Sequence, residues 1–206
     1  MNNEFDDALG FTVALIKNTL KENRKITTHS GDKPPFGYMD WWPNSLWVNT
    51  QVEPFNDVKV RRTISYAINW TQLDEVVYEG AKIGTPYPFP IYPGLIKFVE
   101  TPAVKALEDK YQPAKFDLDA SAKLMTEAGF TNNTDNLWEK GGKTVPGVLN
   151  GFEGIHGDVV PILVEQLRAG RTEASINFSP DVYQNIADGK PGFYMFGHGL
   201  LTLLCE

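Results

Sequence analysis

The chain has 206 residues, of which 42% are hydrophobic, 12% aromatic and 22% charged, with a formal net charge of −7. That is enough apolar chain for one domain with its own core and too mixed a composition for a disordered chain, while the acidic balance shows no basic patch of the kind a nucleic-acid binder carries. A single cysteine, Cys205, excludes an intrachain disulfide and leaves too few thiols for a cysteine-built metal cage. From the N-terminus, Leu9, Val13, Ile16 and Leu20 share a face and predict an amphipathic helix over residues 7–23. The Lys21–Lys25 run reads as its solvated end. Ile26–His29 reads as a short strand, and Ser30–Met39 as a Gly/Pro-rich loop.

The stretch from Trp47 to Asn69 carries the clearest local signals. Leu46, Val48 and Thr50 alternate with Trp47 and Asn49, which is the two-residue period of a strand. Pro54, Asn56 and Asp57 punctuate a turn, and Asp57 is placed to cap a helix from Val58 to Ile68. Val60, Ile64, Ala67 and Ile68 fall on one face of that helix, with Arg61 and Arg62 partly off it. A second short helix follows over Gln72–Tyr78. Gly80–Pro93, with four prolines, reads as a loop without regular structure, and Pro102–Lys110 as a helix.

Asp117 caps a helix that runs to Ala128, with Gly129 in the left-handed C-terminal position. Leu137-Trp138-Glu139, Gly141-Gly142 and Val145–Leu149 suggest a hairpin. Asp158–Ala169 is a helix with Pro161 in its first turn and Gly170 at its end. Ala174–Phe178 alternates as a strand, Pro180–Ala187 is a short helix, and Phe193–Gly197 a last strand. No repeat or low-complexity segment interrupts this order. No apolar run approaches the ~20 residues of a membrane span, and the N-terminus lacks the basic region and small-residue cleavage site of a secretory signal.

The order NTQxxPFNDVKVRRTISYAIN closely resembles the signature of bacterial extracellular solute-binding proteins that serve peptide, oligosaccharide and nickel ABC importers. FDLDASAKLMTEAGF, NLWEKGGKTV, GDVVPILVEQLRAG and FYMFGHG resemble further family segments in the same order, over roughly residues 44–199. Asn69-Trp70 stands where the family usually has Asp-Arg, and the C-terminal LLTLLCE departs from it. The resemblance implies an α/β, type II periplasmic-binding-protein lobe: a mixed sheet flanked by helices. Residues 1–206 are then a single, truncated second lobe, separated from the first lobe of its parent. It also implies periplasmic or extracellular placement, a peptide or oligosaccharide ligand held in an interlobe cleft, and delivery to the membrane permease subunits. It implies no nucleic-acid partner and no cofactor.

Candidate ligand-binding residues follow. Trp41, Trp42 and Trp47 offer aromatic faces on which sugar rings or peptide side chains stack, or else they pack a core or hinge. Trp70 and Trp138 read as structural. His156, in the Gly-rich GFEGIHGD before a helix, reads either as a ligand contact or as a solvated loop histidine. His198 ends the last strand where relatives line the pocket, and Gly197 and Gly199 would allow close backbone approach. Phe152 and Tyr194 are lesser candidates. For Glu153 and Asp158 capping is the simpler role. His29, His156 and His198 lack metal-ligand spacing, and no nucleophile elbow or phosphate loop is present, so catalytic and metal residues are expected to be absent. Two other readings stay open: an interaction or sensor module derived from the same lobe, and a hydrolase using His156 or His198.

Overall fold

Side chains that read as caps start several of the helices. In the computed structural model, which describes residues 11–37, 44–82, 84–87, 89 and 91–197, Asp57 Oδ1 accepts from Lys59 N at 2.7 Å and starts α2 (Val58–Ala67). Asp117 Oδ1 accepts from Ala120 N at 2.9 Å and starts α6 (Leu118–Glu127). Thr12 caps α1 (Val13–Glu22), and Asn69 Oδ1 caps α3 (Trp70–Val77) through Gln72 N at 3.0 Å. Each cap satisfies an amide that the first turn leaves without a helical partner. Gly129 takes φ +85° beyond α6, a conformation that costs a glycine nothing.

The main sheet has the order β1 (Asn44–Val48), β7 (Phe193–Gly197), β5 (Pro146–Gly151), β6 (Glu173–Phe178). β1 is antiparallel to β7, whereas β7, β5 and β6 are mutually parallel. Helix α8 (Val159–Ala169) makes the crossover from β5 to β6, the connection that parallel neighbours require. Side chains of one sheet face meet α2, α6 and α8. Phe55, Val60, Leu149, Val160, Leu163, Leu167 and Phe193 are all essentially solvent-free there, and the Phe55 and Phe193 rings lie 5.2 Å apart. Burying side chains of this size contributes on the order of 1.5–3 kcal/mol each. The α8 residue Gln166 is buried because its amide answers Asn69 N, Asn69 O and Gln72 Oε1, fixing the α2–α3 corner. Thr63 and Ser121 exchange hydroxyl-to-carbonyl bonds between α2 and α6.

Gly147 is a close-approach position. A Cβ there would meet Glu173 O at 2.8 Å and Ala174 Cα at 2.9 Å, both backbone atoms of the parallel neighbour. A second sheet, β2 (Thr131–Asn132), β3 (Trp138–Lys140) and β4 (Lys143–Thr144), is fastened at the end of α8. Trp138 is buried, donates from Nε1 to Gly170 O at 3.0 Å, and carries the Arg171 guanidinium 5.3 Å from its ring.

The structure corrects several expectations. Ile26–His29 is not a strand: Asn23 accepts from Lys25 N and Ile26 N, and Gly31 N donates to Thr28 O, so the backbone turns twice. The hairpin closes on Lys143–Thr144, while the apolar run after it is β5 of the main sheet, drawn away by its pairing with β6. Pro93 does not stay in a loop but opens α4 (Pro93–Val99), as its fixed φ and missing N–H permit, ahead of α5 (Pro102–Tyr111). Asp158 precedes α8 without making a capping hydrogen bond.

Candidate ligand-facing edge

Because β5, β6 and β7 are parallel, Gly151, Phe178 and Gly197 leave the sheet at one edge, and antiparallel β1 brings Asn44 opposite Gly197. Open parallel sheets receive ligands outside these carboxyl ends, where loops replace strands. Beyond Gly151 the chain folds at once into the one-turn helix α7 (Glu153–His156), which the Gly-rich sequence did not suggest.

A reciprocal pair of bonds closes this turn. His156 N donates to Phe152 O at 2.8 Å, and Phe152 N donates to His156 Nδ1 at 3.2 Å. The imidazole is therefore an acceptor at Nδ1, and it is buried, with 2% of its surface exposed. Burial holds its pKa below the ordinary histidine value. The solvated-histidine reading of the sequence is thereby corrected: the ring fills the space behind the edge. Gly151 makes room for it, since a Cβ at that position would lie 3.3 Å from Nδ1 and 3.4 Å from the histidine Cβ.

Phe152 is half-buried beside this ring, with centroids 6.3 Å apart, and packs at 5.3 Å in a tilted arrangement against Tyr183 of α9 (Val182–Ala187). Tyr183 and Ile155 are 58% and 70% exposed, so the outer surface of the edge carries an aromatic and an aliphatic side chain beside the exposed Glu153, Asp158 and Asp181. Neither Tyr183 nor Ile155 stood out in the sequence. The available signal is Ile155, the one apolar side chain between Gly154 and Gly157.

The second face of the sheet leads to this edge. Trp47, Tyr194, Asn150 and Asn177 stand in register across β1, β7, β5 and β6. Trp47 is half-buried in mid-strand opposite Tyr194. The Tyr194 hydroxyl donates to Lys190 O at 2.8 Å and Asn185 O at 3.4 Å, which ties α9 and the segment after it over this face. Its burial, with Asp188 nearby, raises its pKa. Asn150 is buried and donates to Phe193 O at 3.0 Å, while its Oδ1 accepts from Asn177 at 2.7 Å. Thus Phe152 and Gly197 come to the edge, His156 lies behind it, and Trp47 sits further in. Trp41, Trp42, His198 and Gly199 lie outside the described residues. Among the described residues no group of three or more His, Cys, Asp or Glu is placed to hold a metal.

The family described as "Bacterial extracellular solute-binding proteins, family 5 Middle" matches residues 1–202. Heme-binding protein A of Haemophilus influenzae is 31% identical over 91 residues, which is 44% of this chain and 15% of that protein. The dipeptide-binding protein of Escherichia coli is 29% identical over 120 residues, 58% of this chain and 19% of that protein. Among solved structures, the mannohexaose-bound periplasmic oligopeptide-binding protein of Thermotoga maritima superposes with a TM-score of 0.76 at 22% identity, covering 91% of this chain and 34% of that one. The NikZ protein of Campylobacter jejuni, in complex with Ni(L-His), gives 0.68 at 18% identity, covering 92% and 34%. The chain thus spans about a third of the length of its structural neighbours and less of its curated relatives.

Proposed function

Because this chain belongs to the bacterial extracellular solute-binding proteins of family 5, we propose that it is the second lobe of a two-lobed, substrate-binding component of an ABC importer. The apolar edge formed by Phe152, Ile155 and Tyr183 at the carboxyl ends of parallel strands carries this reading. Such a surface suits one wall of a cleft in which a ligand is buried between two lobes, and hinge closure would complete the site. Peptides and oligosaccharides are the proposed cargo, as the names of the Escherichia coli and Thermotoga maritima proteins suggest. Trp47 and Gly197, with Trp41, Trp42 and His198 beside them in sequence, complete the proposed wall.

The protein binds and releases; no covalent step is assigned to it. It works outside the cytoplasmic membrane and hands its ligand to the permease subunits. No helix among the described residues is long and apolar enough to cross a membrane. A thermal-shift screen of the parent polypeptide against short peptides and β-linked oligosaccharides tests the reading. A ligand at about 100 times its dissociation constant adds about 2.7 kcal/mol of stability. The expected result is a clear shift with one of these classes, and a flat response to both would overturn it. The 206-residue lobe alone, with half a cleft, should bind the same ligand far more weakly.

A further inference from the structure

We propose that His156 is a positioning residue: its neutral imidazole is the strut that holds the Phe152 amide and, through Phe152, the Tyr183 ring, so that protonation releases the ligand-facing edge. The strut itself follows from the geometry; its consequence for ligands rests on the reading of this edge given above.

The observations are local and agree with one another. The Phe152 and His156 bonds are reciprocal, backbone to backbone at 2.8 Å and backbone to ring at 3.2 Å, so the imidazole answers the Phe152 amide at the head of a turn that backbone bonds close. This is the logic of a capping box with an imidazole in place of a carboxylate or amide. With only 2% of its surface exposed, the ring has little surface to offer a ligand directly. What touches the outside is Phe152, packed between the His156 ring and Tyr183 with its ring tilted to both.

An imidazolium carries two N–H donors and no acceptor. Protonated at Nδ1, His156 would set a donor against the Phe152 donor in a buried place, and the amide would lose its partner. Among the described residues no ion pair offsets that charge. Glu153 and Asp158 lie on the same segment and Asp181 directly before α9; all three are exposed and none pairs with the ring. From α8, Val160 shares the space beside Gly151. From α9, Tyr183 packs against Phe152, and the β7 phenol of Tyr194 lies on the opposite sheet face in register with Asn150, its hydroxyl donating to Lys190 O and Asn185 O. The strand ends 177–179 and 149–151 bring no charge.

Amide hydrogen exchange followed by NMR on the 206-residue chain tests this from about pH 8 to about pH 5, the range in which histidine titrates. In the unaltered chain the Phe152 amide should be protected at the upper end, and acidification should accelerate its exchange about five- to tenfold beyond the intrinsic pH effect, as loss of one hydrogen bond implies. Tyr183 ring shifts should follow the same titration. His156→Asn keeps an acceptor oxygen near the Nδ1 position and does not titrate, so its Phe152 protection should be retained and independent of pH. His156→Leu should lose protection throughout. An unprotected Phe152 amide in the unaltered chain, protection in His156→Leu equal to it, or a surviving acid response in His156→Asn would each overturn the strut.

A second arm titrates Ala-Ala and mannohexaose into the parent polypeptide. Weakening of whichever probe binds on acidification, absent in His156→Asn, is expected, and equal acid weakening in both would overturn the link from strut to ligand. If neither probe binds, the peptide or sugar reading fails for these probes while the exchange result still decides the strut.

Discussion

The two faces of the main sheet are built on different principles. Toward α2, α6 and α8 the strands present Leu46, Val48, Leu149, Ala174, Phe193 and Met195, and cohesion comes from excluding water. On the other face Trp47, Tyr194, Asn150 and Asn177 stand in one row, in which Tyr194, Asn150 and Asn177 are held by directed hydrogen bonds to neighbouring carbonyls and amides. The first face tolerates approximate shape so long as it stays apolar. The second depends on each partner being in place, and that precision delivers Phe152 and Gly197 to the sheet edge.

Truncating the dry face should have the largest effect. Leu149→Ala removes a fully buried side chain beneath α8 and should cost about 2–5 kcal/mol, read from the midpoint of urea unfolding. On the polar row, Asn150→Ala leaves Phe193 O and the Asn177 amide short of a partner and should cost about 1–3 kcal/mol. Equal losses at the two neighbours would erase the distinction between the faces.

The acid response should be smaller. The folded His156 pKa lies below its unfolded value, so the unfolded chain takes up the proton first as pH falls below about 6.5. Stability is lost over the interval down to the folded pKa and then levels off. The difference between the unaltered chain and His156→Asn isolates this contribution from the carboxylates. Smallest of all, Val148→Thr, at a position 38% exposed on the second face, should stay within about 0.5 kcal/mol of the parent.

These faces also differ in how readily they are read from residues alone. Period and caps announced α2, α6, α8, β6 and β7, because apolar spacing and a single acceptor side chain act locally. β5 was joined to the preceding hairpin because its true partner, β6, arrives only after a helix. The Asn150–Asn177 bond and the tilted Phe152–Tyr183 ring contact join residues that no sequence period relates. His156 is a chemically able side chain in a glycine-rich turn, yet its burial depends on Gly151 and on Val160 of α8 beside it. The apolar rim was missed for a related reason: an exposed Ile155 acquires meaning only when strand ends gather beside it.

The pairing of β1 with β7 also constrains how the chain is made. Leu46 pairs with Met195 and Val48 with Phe193, so β1 waits for a strand that follows it only after β5, α8 and β6 have been made. On a ribosome, β1 emerges long before anything can cover its apolar side chains, while α2 and α6 have each other after a modest stretch of synthesis. Contacts of such long sequence separation are slow to form. The nascent chain therefore carries an uncharged strand, NSLWV, in search of its sheet partner until β7 has been made, and this segment is where a holding chaperone or a premature aggregate would first take hold.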